Sequence, residues 1–105
     1  VRRTSGAIVY FASAAVLPGG RTAEIAAYAS AKAGVLSLMH AVASEERSRG
    51  VRANALAPTS IRTATNLAEM ASSTTFVERE TVAEWTLFLC SDAARSVTGQ
   101  VVRLE

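Results

Sequence analysis

A continuous apolar run, AIVYFAS from Ala7 to Ser13, constrains the fold of this 105-residue chain more than any other stretch. The run is rich in β-branched and aromatic residues. Such a pattern indicates a strand that is buried on both faces, as the strands of parallel sheets are. The sequence therefore predicts a parallel sheet, in which neighbouring strands are joined by a long crossover.

The chain supplies such a crossover between two predicted strands. Pro18 to Gly20 interrupt regular structure, and a long Ala-rich helix is predicted from Glu24 to Arg49, with Gly50 as a stop signal. A second strand is predicted from Val51 to Pro58. The apolar stripe of the helix is predicted to consist of Ala31, Val35, Leu38 and Val42.

The second half of the chain predicts one more helix and one more strand. The connection from Thr59 to Glu80 is polar, so we expect an irregular, mobile segment with a weak helical turn around Ala64 to Ala71. Thr81 and Glu84 stand in capping-box spacing before an apolar run, which predicts a helix starting there. A final strand is predicted after Gly99.

Composition narrows the classes of function. The net charge is +2 and the arginines are interspersed with acids, so we expect no nucleic-acid partner. A single cysteine, Cys90, excludes an internal disulfide, and with His40 as the one histidine no metal site is predicted. The apolar runs fall short of the roughly 20 residues that span a membrane, and no secretory leader opens the chain. We therefore expect a cytoplasmic protein without a membrane partner.

The stretch YASAK places the phenol of Tyr28 and the ammonium of Lys32 four residues apart. On a helix these positions lie on one face, with Cβ atoms about 5–6 Å apart. A neighbouring cation favours the ionised form of a phenol, which is how a weak acid becomes a usable base. The alternative is a pair on the helix surface with no chemical role.

Four segments occur in the order and approximate spacing of the C-terminal half of the short-chain dehydrogenase/reductase family: GAIVYFASAA, YASAK, GVRANALAPTSIRT, and FLCSD followed by TGQVV. The chain resembles this family over nearly its whole length. The resemblance implies an α/β fold, the C-terminal part of a Rossmann-type doubly wound parallel sheet with about three parallel strands and covering helices. Residues 1–105 would form a partial domain, without the family's N-terminal cofactor-binding half and its glycine-rich phosphate turn.

The resemblance also implies an oxidoreductase that moves hydride between NAD or NADP and a small carbonyl or secondary-alcohol substrate. Tyr28 would be the general acid/base, Lys32 would support it and bind the cofactor ribose, and Ser13 would orient the substrate. The cofactor contacts implied by the resemblance are Tyr28, Lys32, Pro58, Ile61 and Thr63. We expect this stretch of chain to be inactive by itself.

The sequence also leaves alternatives to what this resemblance implies. Thr63 also suits the N-cap of a helix at ATNLAEM, a role that is compatible with a cofactor contact. Thr59 stands where the family often has glycine. The alternative function is a non-catalytic fragment whose helix 24–49 is an association module, because the family packs this helix against its symmetry mate. A homo-oligomer through helix 24–49 is expected for the enzyme as well.

Overall fold

The computed structural model describes residues 5–70 and 76–105. Within these ranges it contains a parallel sheet of three strands and a second parallel pair of short strands. In chain order the elements are β1 (Gly6–Phe11), α1 (Ala26–Glu45), β2 (Val51–Pro58), β3 (Ser60–Ile61), α2 (Ala64–Glu69), β4 (Phe76–Val77), α3 (Arg79–Cys90) and β5 (Val101–Leu104). The larger sheet has the order β1-β2-β5. This arrangement confirms the predicted α/β class with parallel strands and covering helices.

The two strands of the crossover were predicted closely. β2 has the predicted bounds, and β1 aligns with it from Gly6 opposite Val51 to Phe11 opposite Leu56. The prediction that β1 continues to Ser13 is wrong. Pairing ends with a bond from the Ala12 amide to the Leu56 carbonyl at 2.8 Å, and the chain then turns into a short 3₁₀ helix, residues 14–16.

Two helices cover opposite faces of the sheet. On one face the buried residues of α1, Met39 and Ala43, pack against Ala53 and Ala55 of β2. On the other face Leu89 of α3 joins a second buried cluster, whose further members are Leu56, Val77 and Leu104. Because side chains alternate along a strand, β2 supplies both clusters. Small alanines on one face let α1 lie close to the sheet.

Helix α1 begins at Ala26, so the prediction that it starts at Glu24 is wrong. Glu24 has φ +67°, a left-handed conformation that cannot belong to an α-helix. At its other end α1 is followed by a 3₁₀ turn at Arg47–Arg49, which Gly50 ends with φ +74°. A Cβ at Gly50 would lie 3.3 Å from the Cβ of Ser5, so both conformation and space favour glycine there.

The predicted apolar stripe of α1 is wrong at Ala31 and Leu38, whereas Val42 packs against the core and Val35 is half-buried. The buried residues are Ala29, Met39 and Ala43, whereas Ala31 is exposed and Leu38 is 53% exposed. The helix carries apolar residues on two faces, so periodicity could not select the face that packs on the sheet. Within the described residues, no helix is long and apolar enough to cross a membrane.

The connection after β2 is more regular than predicted. The predicted helical turn is confirmed as α2, and β3 and β4 pair in parallel, with Ser60 opposite Phe76. Residues 71–75, the end of the predicted turn included, lie outside the described part of the chain. The predicted capping box is wrong, because α3 begins at Arg79 with Glu78 as N-cap and without a side-chain cap bond. Glu78 also forms an ion pair with a distant residue, described below.

Two polar side chains of β2 hold the far end of α3 and the loop before β5. Arg52 donates to the carbonyls of Leu89, Ser91 and Val97 at 2.8, 3.2 and 3.3 Å. Asn54, which is 1% exposed, donates to the same Val97 carbonyl at 3.0 Å and accepts from the Gln100 amide at 3.0 Å. Buried polar groups require such partners. Arg52 and Asn54, two polar residues in an otherwise apolar strand, were the signal for this role, and the sequence analysis did not use it.

Candidate active site

The candidate site lies where β1 and β2 end. Both strands run parallel, so their carboxyl ends meet at the same edge, the edge at which open α/β sheets bind ligands. Ser13 comes two residues after β1, and Pro58 is the last residue of β2. Both residues are buried. The predicted residues on these two strands therefore reach one edge of the sheet.

Ser13 is held by the turn that it caps. Its Oγ accepts from the amide of Ala15 at 3.2 Å, and the residue is 6% exposed. A hydroxyl that accepts one hydrogen bond keeps its hydrogen for a second partner. Ser13 thus has a fixed position at the sheet edge and a donor that could meet a substrate oxygen.

Tyr28 and Lys32 lie on the first turns of α1, as the spacing predicted. The Lys32 Nζ is 6.0 Å from the centroid of the Tyr28 ring and donates to the carbonyl of Phe11 at 3.1 Å. Phe11 ends β1, two residues before Ser13. The ammonium therefore connects α1 to the end of β1 and stands between the tyrosine and the strand that leads to the serine.

The exposure of these groups suits contact with a ligand. Tyr28 is 50% exposed, so its phenol is accessible, and Lys32 is half-buried. The ammonium has three N–H donors, of which one goes to the Phe11 carbonyl. Two donors remain for neighbouring oxygen atoms. An accessible phenol beside a fixed cation can exchange a proton with a bound alcohol or carbonyl.

Ile61 and Thr63 are linked to each other through Asn66 of α2. The Asn66 Nδ2 donates to the Ile61 carbonyl at 2.8 Å, and the Thr63 Oγ1 accepts from the Asn66 amide at 3.1 Å. The prediction that Thr63 is a helix N-cap is confirmed. Its hydroxyl hydrogen is still available to a cofactor. Pro58 is connected to this segment through Thr59, whose amide donates to the Leu104 carbonyl at 2.9 Å.

The predicted residues form two separate groups. Lys32 lies beside Tyr28 and donates to the carbonyl of Phe11, two residues before Ser13, whereas Ile61 and Thr63 both bond to Asn66. Within residues 5–70 and 76–105, hydrogen bonds and ring contacts do not join one group directly to the other. The pairing of β1 with β2 sets their relative position.

The sequence analysis missed three groups that hold the segments around this site without belonging to the predicted site itself. They are the backbone carbonyl of Phe11, the side chain of Asn66 and the side chain of Arg62, which forms a 2.6 Å ion pair with Glu78. Asn66 could have been suspected, since it stands three residues after a capping threonine. In the described part of the chain, no cluster of His, Cys, Asp and Glu could hold a metal ion.

Known proteins are similar to this chain in sequence and in fold. The whole chain, residues 1–105, matches the family described as enoyl-(acyl carrier protein) reductase. The 3-oxoacyl-[acyl-carrier-protein] reductase FabG of Thermotoga maritima is 35% identical over 117 residues, which cover 100% of the chain and 46% of that protein. The chain thus spans about half the length of this curated relative.

Two solved structures extend the comparison. A short-chain type dehydrogenase/reductase from Mycobacterium ulcerans aligns with a TM-score of 0.83 at 33% identity, covering 94% of the chain and 40% of that protein. A Beutenbergia cavernae protein assigned as an NAD(P)-dependent gluconate 5-dehydrogenase, with NADP bound at low occupancy, aligns with a TM-score of 0.80 at 39% identity, covering 94% and 44%. These likenesses confirm the predicted Rossmann-type class.

Proposed function

Because the chain belongs to the short-chain dehydrogenase/reductase family, we propose that it is the C-terminal half of an NAD(P)-dependent oxidoreductase. The enzyme moves a hydride between NAD or NADP and a carbonyl or secondary alcohol. The observation that carries the proposal is the bridge from Lys32, beside Tyr28, to the Phe11 carbonyl near Ser13. It brings an acid/base candidate, a cation and a hydroxyl to the sheet edge.

In the proposed reaction Tyr28 handles the proton. During reduction the phenol gives its proton to the carbonyl oxygen of the substrate, and during oxidation the phenolate takes the proton of the alcohol. The ammonium of Lys32 stands 6.0 Å from the centroid of the Tyr28 ring, and the hydroxyl of Ser13 donates to the same substrate oxygen. The nicotinamide cofactor, when bound, supplies or accepts the hydride.

The cofactor contacts in this chain are proposed from the free donors that the structure leaves. Lys32 has two N–H groups beyond its bond to Phe11, which suits a pair of ribose hydroxyls. Thr63 retains its hydroxyl hydrogen, and Pro58 and Ile61 provide backbone and apolar surface beside it. These residues fit the nicotinamide end of the cofactor. The sequence contains no glycine-rich Gly-x-x-x-Gly-x-Gly turn, so we assign the pyrophosphate to another part of the protein.

The substrate that this edge favours is a small molecule with an apolar portion. Four large apolar side chains near the edge are 37–50% exposed. They are Phe11, Ile25, Leu67 and Met70. Exposed apolar groups that surround a polar centre are typical of ligand-binding surfaces. We place the reaction in the cytoplasm, which agrees with a sequence that has one cysteine, and we propose neither a nucleic-acid nor a membrane partner.

Cofactor binding tests the proposed function and also the proposal that the pyrophosphate site lies outside residues 1–105. The full-length protein is expected to bind NADH or NADPH, whereas a polypeptide of residues 1–105 is not expected to bind either with micromolar affinity, because the proposed pyrophosphate site lies outside it. Calorimetric titration of both polypeptides measures this. Micromolar binding by residues 1–105 would mean that the phosphate site is within this stretch, and failure of the full-length protein to bind would remove the proposed oxidoreductase function.

The face of α1 that points away from the sheet favours a homo-oligomer. Small side chains and one large apolar residue follow this face at helical spacing, and they are exposed. They are Ala27, Ala31, Gly34, Leu38 and Ala41. Small residues let two helices approach closely. We propose that α1, the observed core of the predicted helix 24–49, packs against the same helix of a second copy. The alternative function, a non-catalytic fragment that serves as an association module, depends on this face of α1 as well.

Replacing Leu38 by lysine is expected to dissociate the oligomer, since it would place two charges in the contact between helices. Sedimentation of the full-length protein at several concentrations measures the change in mass. Leu87→Lys is the matched control, because Leu87 is 72% exposed on α3, on the opposite face of the sheet. An unchanged mass for Leu38→Lys would exclude this interface. Turnover with NAD or NADP by the same protein would decide against a purely associative function.

A further inference from the structure

Arg62 stands between the two proposed cofactor contacts Ile61 and Thr63 and is held by three separate interactions. Its amide donates to the Val77 carbonyl at 2.7 Å, and its Nε donates to the Glu78 Oε1 at 2.6 Å. Its guanidinium carbon lies 5.3 Å from the centroid of the Phe76 ring. We call this set of contacts with residues 76–78 the Arg62 clasp.

The Arg62 clasp closes the segment that contains α2. Residues 60 and 61 pair with residues 76 and 77 in parallel, and the amide of Arg62 extends this short ladder by one bond. Glu78 directly follows β4 and is also the N-cap of α3. The clasp therefore attaches the segment after β2 to the start of a helix that packs on the sheet.

The two side-chain contacts of the Arg62 clasp contribute little to folding stability. The side chains of Arg62 and Glu78 are 45% and 51% exposed. Exposed ion pairs and exposed cation–π contacts each contribute little to the free energy of folding, because water solvates the charges in both states. Their geometry is nevertheless specific, since a guanidinium group donates in fixed directions. A specific geometry with little stabilisation is what a positioning role requires.

The direction of the side chains shows what the clasp would position. In an extended segment, successive side chains point to opposite sides. When Arg62 is drawn toward residues 76–78, Ile61 and Thr63 are turned to the other side. Both are also tied to Asn66, through the Ile61 carbonyl and the Thr63 hydroxyl. Residues 61 and 63 are thus held from two directions.

We propose that Arg62 is a positioning residue, whose contacts with Phe76 and Glu78 fix Ile61 and Thr63 against the nicotinamide end of the cofactor. This inference rests on the proposed function. Arg62 itself does not touch the cofactor. Loss of the clasp therefore weakens cofactor binding, because the segment has to be ordered when the cofactor binds, and it leaves the proton transfer by Tyr28 intact once the cofactor is bound.

Variants of the full-length protein test this inference. Arg62→Gln, which removes both side-chain contacts, is expected to raise the Kd for NADH or NADPH by about 3- to 30-fold, and Glu78→Gln, which removes the ion pair alone, by up to about 5-fold, because the loss cannot exceed the small free energies of these exposed contacts. The turnover number at saturating cofactor and the melting temperature should stay close to those of the wild type. The exchanged pair Arg62→Glu with Glu78→Arg should recover part of the affinity, and Arg62→Lys should be intermediate because it keeps the charge without the planar fork.

Arg49→Gln is the matched control. Arg49 is 46% exposed and pairs with Glu46 at 3.1 Å, at the opposite edge of the sheet, so its loss changes the net charge equally. Wild-type affinity in Arg62→Gln, or the same loss of affinity in Arg49→Gln, would overturn the inference. So would an exchanged pair that folds normally and recovers nothing.

Hydrogen exchange separates this inference from the proposed function. The amides of residues 60–66 are expected to exchange faster in Arg62→Gln than in the wild type, with no cofactor present. Unchanged exchange would overturn the positioning role even if the enzyme is an oxidoreductase. If the wild-type protein bound neither NADH nor NADPH, the proposed function would fail. Arg62 could then not position Ile61 and Thr63 for a nicotinamide cofactor.

Discussion

Phenylalanine in place of Tyr28 is expected to lower the turnover of the full-length enzyme by roughly 10²- to 10⁴-fold, the usual contribution of general acid/base catalysis. The substitution removes the phenol oxygen that exchanges the proton and keeps the ring. Tyr28 is 50% exposed, so the fold should not depend on its hydroxyl. Steady-state rates at saturating cofactor, together with thermal unfolding, measure the two effects separately.

Tyr10 provides the control for this substitution. It is the other tyrosine of the chain, lies on β1 and packs partly buried against the cluster that contains Met39. Tyr10→Phe should keep the turnover of the wild type. Full activity in Tyr28→Phe would end the assignment of Tyr28 as the acid/base. An equal loss in both variants would point to structural damage.

Methionine in place of Lys32 is expected to reduce cofactor affinity by about 10- to 100-fold and to lower turnover as well. A hydrogen bond that involves a charged group contributes roughly 1.5–3 kcal/mol, and the proposed ribose contacts are of this kind. The substitution also removes the positive charge that stands 6.0 Å from the centroid of the Tyr28 ring. Fluorescence titration with NADH or NADPH gives the affinity, and steady-state kinetics give the turnover.

Arginine at position 32 separates the two roles of the lysine. Lys32→Arg keeps the positive charge but changes the shape and the directions of the donors. We therefore expect it to recover turnover better than cofactor affinity. The bond from Lys32 to the Phe11 carbonyl is exposed, so neither variant should lose much folding stability. Wild-type affinity and turnover in Lys32→Met would contradict the proposed role of the ammonium.

The fold could be predicted wherever the sequence pattern is compatible with only one type of element and one position for it. β2 was predicted with its observed bounds because an apolar run stands between Gly50, which has a left-handed conformation, and Pro58. The phase of α1 could not be predicted, since an apolar residue such as Leu38 fits either face. The start of α3 was placed late, because a local capping pattern at Thr81 indicated a start there, whereas the helix already begins at Arg79 with Glu78 as N-cap.

The side chains of the candidate site could be predicted better than the groups to which those side chains bond. The spacing of Tyr28 and Lys32 identified a pair that the structure places side by side. The acceptor for Lys32 is a backbone carbonyl, which any residue at position 11 would provide, so no sequence signal marks it. Arg62 and Glu78 are 16 residues apart, a separation at which sequence patterns carry no information about pairing.

The amide of Asn54 also decides how β5 can be aligned during folding. β5 has four residues, VVRL, and a shift by one position would exchange the sides of Val102 and Arg103 at little cost to the ladder itself. Asn54 accepts from Gln100 and donates to Val97 in the native alignment, so a misaligned strand would leave a buried amide without partners. At the other end of β5 the Leu104 carbonyl holds Thr59, roughly 17 Å along the strand from Asn54. One asparagine thereby selects against mispaired chains and sets where the segment after Pro58 leaves the sheet.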